Sequence, residues 1–123
     1  MSMMKILGFS CLVLFALCIE AAARCSVPRI ATFVNQTVDG YMQADSGKPC
    51  KIHFLSSSGP MERVEIVQRP TNGTVQIGGV QSLIYTSRRG FVGSDTFTYA
   101  RRGLTTAGTP ATRTVRVSVT VTP

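Results

Sequence analysis

The sequence predicts an all-β chain folded as a two-sheet antiparallel sandwich of about seven strands. Three observations predict it. Apolar and polar residues alternate with a period of two along most of the chain, and turn residues interrupt that alternation about every eight to twelve positions. No long apolar stripe follows a helical period. The cleanest run lies near the C-terminus, where Val115, Val117, Val119 and Val121 alternate with Thr114, Arg116, Ser118 and Thr120.

The elements follow in order. Residues 29–38 read as a first, irregular strand, closed by a turn signal at Asp39-Gly40. A second turn at Ser46-Gly47-Lys48-Pro49 leads into a strand over residues 50–55, with Ile52 and Phe54 on one face. Residues 56–60 form a loop. Residues 63–69 form the next strand, Val64 and Ile66 alternating against Glu65. Pro70-Thr71-Asn72-Gly73 reads as a hairpin turn, because Asn-Gly tolerates positive φ, so residues 64–68 and 74–77 are expected to pair. Gly78-Gly79 turns the chain into Leu83-Ile84-Tyr85. A glycine corner precedes the strand of Phe97 and Tyr99, and a loop over residues 103–110 leads into the valine strand.

The N-terminus carries a targeting pattern. One lysine, Lys5, precedes a nearly unbroken apolar run over residues 6–19, short for a membrane span and followed by Ala21-Ala22-Ala23. Residues 1–23 are therefore expected to be a signal peptide cleaved after Ala23, with one domain over residues 24–123. A lipoprotein site is disfavoured, since Arg24 precedes Cys25 and Leu17 precedes Cys18. No later segment is apolar for long enough to cross a bilayer, so a periplasmic or secreted product is expected.

Cleavage would remove Cys11 and Cys18 and leave Cys25 and Cys50. An even pair in an exported chain, without Cys-Xaa-Xaa-Cys spacing or neighbouring ligands, reads as a structural disulfide. Closing that loop contributes about 3.5 kcal/mol in the chain-entropy model. The formal net charge of the full chain is +7, and losing Lys5 with Glu20 does not change it. Ten of the basic residues are arginine. Such an excess keeps an exported domain soluble and draws it toward anionic surfaces.

The residues that carry a family resemblance are Arg69-Pro70-Thr71-Asn72-Gly73-Thr74-Val75, Tyr85, then Gly90-Phe91-Val92-Gly93-Ser94-Asp95-Thr96-Phe97-Thr98-Tyr99, and the valine strand. Over residues 64–123 this pattern resembles the bacterial cadherin-like and Ig-like tandem-repeat family. The resemblance implies an Ig-like β-sandwich in a non-catalytic binding or structural module. Absent tryptophan and early cysteines exclude an antibody-type Cys–Trp–Cys core. The corner also makes physical sense residue by residue. Gly90 and Gly93 permit backbone angles that side chains resist, Phe91 plugs the sandwich edge, and Asp95 accepts hydrogen bonds from turn amides. Phe97 and Tyr99 enter the core, the Tyr99 hydroxyl seeking a partner as in a tyrosine corner.

Two departures from the family matter. Relatives of this kind stand in long arrays, whereas one copy stands here. Many carry an Asp-rich segment after the Phe-Xaa-Tyr strand that helps bind calcium. Here that segment is Ala100-Arg101-Arg102-Gly103, without an acid, so calcium is not expected.

Catalytic chemistry has little to work with. His53 is the single histidine, with outward parity beside Ile52 and Phe54. A set built from Ser56 to Ser58, His53 and Asp39 or Asp45 has no supporting nucleophile motif. Glu62 and Glu65 lie three apart on a strand and tend to face opposite ways. Neither a zinc spacing nor a phosphate loop occurs, and no enzyme activity or cofactor is expected.

Arginines supply the candidate site. Arg102 and Arg116 have outward parity on neighbouring strands, Arg101 and Arg113 flank the loop between them, and Arg88 and Arg89 sit on the preceding turn. Grouped at one face they would suit forked contacts with carboxylates or phosphates. An acidic protein or an anionic envelope polymer is the expected partner. Nucleic acid is disfavoured by export and by the lack of interleaved exposed aromatics. The alternatives are a structural subunit assembling through a sheet edge, or an inhibitor presenting the loop over residues 103–110.

Overall fold

The computed structural model describes residues 24–54, 61–78 and 82–123. The expected signal peptide, Leu55 at the end of the expected second strand, the expected loop over residues 56–60 with its three serines, and Gly79 lie outside the described residues.

The described chain is built from strands: β1 (Cys25–Ser26), β2 (Gln36–Asp45), β3 (Cys50–His53), β4 (Met61–Gln68), β5 (Gly73–Ile77), β6 (Ser82–Ser87), β7 (Gly93–Leu104) and β8 (Pro110–Thr122). They form a five-stranded sheet in the order β1-β2-β8-β7-β4 and a three-stranded sheet in the order β3-β6-β5. The two sheets pack as an all-β sandwich. All ladders are antiparallel except β2 with β8, which run parallel over residues 36–45 and 113–122.

Period-two burial produces this packing. On β8, Val115, Val117, Val119 and Val121 are all buried while Arg116, Ser118 and Thr120 face solvent. Met42 and Ala44 extend the inner face across β2, and Phe97 and Tyr99 across β7. The opposing sheet supplies Ile52, Val75, Leu83 and Tyr85. Tyr85 stacks on Phe97 with centroids 5.8 Å apart, one aromatic from each sheet.

Three expectations fail, each for a physical reason. The expected first strand over residues 29–38 begins only at Gln36, and Asp39-Gly40 is no turn but part of β2. A Cβ at Gly40 would lie 2.8 Å from Cδ1 of Ile30, the end of a side chain that crosses it and would have to shift. The turn lies earlier, at Asn35, whose φ of 57° suits asparagine and whose Oδ1 accepts from the amide of Thr112. Residues 64–68 and 74–77 also do not pair. β4 joins β7 and β5 joins β6, so Pro70-Thr71-Asn72-Gly73 carries the chain from one sheet to the other. Gly73 serves close approach rather than positive φ, since a Cβ would sit 2.6 Å from the Thr86 carbonyl oxygen. Finally, the loop over residues 103–110 is a tight hairpin connection. The ladder continues through Leu104↔Pro110, and Thr105 and Thr109 close the turn on each other.

The disulfide between Cys25 and Cys50 forms, with a Cα–Cα distance of 5.4 Å. It links β1 of one sheet to β3 of the other.

The crowding at Gly73 gives a direct test. Gly73→Ala is expected to destabilise by about 1–3 kcal/mol in urea unfolding, the usual cost of overpacking. A change below about 0.5 kcal/mol would show that the crossing relaxes without strain.

Candidate functional site

The glycine corner folds as a structural junction around Asp95. Gly90 and Gly93 take φ of 87° and 141°, which places Phe91 against the core and starts β7. Asp95 is buried, and its carboxylate accepts from the amides of Thr71 (3.1 Å), Asn72 (3.1 Å) and Thr96 (3.0 Å). The Tyr85 hydroxyl donates a fourth bond at 2.8 Å. Both carboxylate oxygens are thus held by protein donors. The phenol that serves the corner is Tyr85's, not Tyr99's. Tyr99 packs on Phe54 instead, with ring centroids 5.2 Å apart. Burial first, then the hydrogen bond and charge of Asp95, push the Tyr85 phenol well above the ordinary tyrosine value. Burial also pushes Tyr99 up to about 12.

The six arginines do not form one cluster. Arg102 and Arg116 do face outward, but each is held by a carboxylate of a neighbouring strand. Arg102 Nε lies 2.7 Å from Glu65 on β4, and Arg116 Nε lies 3.0 Å from Asp39 on β2. Arg101 and Arg113 stand opposite each other across the β7–β8 ladder with inward parity. Arg101 is buried, its guanidinium 4.8 Å from the centroid of Phe54, and burial lowers its pKa. Arg88 and Arg89 occupy the opposite end. Arg88 donates to Asn72 Oδ1 and covers the Phe91 ring, while Arg89 lies against Gly47. The eight ladder steps from Gly93 to Arg101 put about 27 Å between these ends.

The sequence therefore misjudged the grouping because it counted cations without locating the carboxylates. Parity alone placed Arg102 and Arg116 outside. The cross-strand positions of Glu65 and Asp39 depend on β4 pairing with β7 and on β2 pairing parallel with β8, neither of which the sequence pattern specified.

A cleft of about 560 Å³ opens beside Arg101, between residues 27–32 and the outer margin of β3. Its apolar floor includes Ile52, Phe54 and Tyr99, and His53 stands at its exposed side. The two acids weighed, and disfavoured, as catalytic partners of His53 are engaged elsewhere. Asp39 is committed to Arg116, and Asp45 accepts from the backbone amide of Arg24 and the Thr122 hydroxyl. Those bonds hold the Asp45 carboxyl below its usual range. Among the described residues, no three His, Cys, Asp or Glu side chains are placed to hold a metal ion.

A family profile for the bacterial Ig domain matches residues 28–120. The chain belongs to the bacterial Ig domain family. The match reaches well upstream of residue 64, so it includes the N-terminal half, where the sequence showed only strand rhythm. No curated protein matches the chain. Domains of this Ig family are generally non-enzymatic binding or structural modules.

The two raised phenols set an alkaline limit on this Ig domain. In the fold they favour the protonated form, so their stabilisation is present below the unfolded value of 10.0 and is lost as pH rises through their folded values. The urea midpoint is expected to hold to about pH 9 and to fall between about pH 10 and about pH 12. Tyr85→Phe is expected to cost about 1.5–3 kcal/mol at neutral pH, as loss of a bond to a charged acceptor, and to flatten the alkaline decline. An unchanged decline in that variant would remove Tyr85 as its source.

Proposed function

We propose that this Ig domain is a non-catalytic binding module, exported to a bacterial periplasm or envelope, that engages an anionic partner. One observation carries the reading: the carboxylates of Asp39, Asp45, Glu65 and Asp95 are consumed by the fold while many cations are not. Asp39 and Glu65 are in ion pairs, Asp45 ties down the start of the described chain, and Asp95 is buried in the corner. Arg29, Lys48, Lys51, Arg63, Arg69 and Arg89 are exposed. The charge presented to solvent is therefore positive, which favours long-range attraction of anions. The expected signal peptide supports export.

The experiment is retention of the purified protein on an immobilised polyanion such as polyglutamate, over a range of salt. Binding at low ionic strength that is lost at about 1 M salt is expected, since the Debye length then falls to about 3 Å. Absence of retention at low salt would overturn the reading and favour assembly through apolar or sheet-edge contacts.

A further inference from the structure

β3 is the edge strand of the three-stranded sheet, and its ladder runs to β6 from Cys50↔Tyr85 to His53↔Ser82. On its other side, among the described residues, no backbone hydrogen bond joins it to the segment 27–33 that passes it. The cleft lies along this margin. Among the described residues, Arg29, Lys51, His53 and Arg101 line it together with the apolar floor, and no carboxylate does.

We propose that this cleft binds a short acidic peptide segment, seated in extended form along the free edge of β3. The proposal rests on the anionic-partner reading and gives it a place and a ligand class. Three features of the margin converge on a peptide. A strand edge offers N–H and C=O groups that match another backbone, the chemistry of strand addition. Residues on β3 alternate, with Ile52 buried and Lys51 and His53 exposed. An added strand follows the same alternation, so apolar side chains enter the floor while acidic ones lie beside Lys51 and His53. A glycan supplies no apolar side chain for the floor, and a simple anion has no use for the strand edge.

The other sheet edges lack this combination. β1 has two residues. β4 is interrupted by register shifts between Met61 and Arg63 and between Ile66 and Gln68, irregularities that blunt an edge against pairing. β5, Gly-Thr-Val-Gln-Ile, carries no cation.

The test uses fluorescence polarisation with a labelled peptide of alternating Glu and Val as probe. Two chain variants, Lys51→Glu in the cleft and Arg63→Glu on β4, change the net charge equally, and both positions are exposed. Two forms of the peptide carry N-methyl groups on one or the other set of alternate amides. Lys51→Glu is expected to weaken binding about tenfold or more, with Arg63→Glu within about threefold of the parent. One methylation pattern is expected to abolish binding and the other to be tolerated, because only one set of amides faces β3. Equal losses for the two chain variants would overturn the cleft while leaving a general anionic attraction intact. Equal tolerance of both methylated peptides would overturn strand addition. Failure to retain any polyanion would remove the underlying reading as well.

Discussion

A buried carboxylate joins the two sheets, and the rest of the sandwich is arranged around it. Asp95 stands on β7 of the five-stranded sheet. Its donors are Tyr85 on β6 of the other sheet, the amides of Thr71 and Asn72 in the segment that crosses between them, and the amide of the adjacent Thr96. A buried charge without such partners is strongly destabilising, so the four donors and the carboxylate must be ordered together. This explains why a short acid, a tyrosine and a proline-glycine crossing stand together within one compact motif. The disulfide reinforces the same level of the molecule. Cys50 stands opposite Tyr85 in its ladder, and Cys25 lies level with Gly93 through Ala44 and Val121. Cross-sheet constraint is concentrated at that level, whereas the inward-facing Arg101 and Arg113 lie toward the other end of β7 and β8.

Much of this was legible in the sequence because it is written in local pattern. The valine alternation defined β8, and the cysteine count gave the disulfide. The corner glycines, Phe91 and Asp95 have the roles their residue types suggested. What failed depended on which strands became neighbours. Asn72-Gly73 has the chemistry of a hairpin turn, but Asp95 captures the amides of Thr71 and Asn72, and the chain changes sheets instead. Gly40 looked like a turn because nothing local reveals that Ile30 folds back over it. The parallel pairing of β2 with β8 is likewise a long-range property, and it brings Asp39 to Arg116.

The candidate site was less legible than the fold for the same reason. Six arginines read as a patch only while their carboxylate partners were unplaced. Exposed pairs such as Arg102–Glu65 contribute little stability, typically about 0–1 kcal/mol. They do, however, cancel charge on the outer sheet face and leave the margin of β3 as a place where cations, an apolar floor and a free strand edge coincide. Nothing along residues 25–54 marks that margin locally, because Arg101 reaches it from the far end of β7. The corner commits Asp95 and Tyr85 to holding the sheets, and the proposed peptide site lies on the opposite side of β3.

The dependence of the sandwich on Asp95 is tested most directly by native-state hydrogen exchange at the amides of Thr71 and Asn72. Both lie in a surface connection, yet they are expected to exchange only through global unfolding, with protection equal to that of Phe97 and Val117 in the core. Exchange orders of magnitude faster than those core amides would show that the crossing opens locally, and that the two sheets hold together without the buried carboxylate.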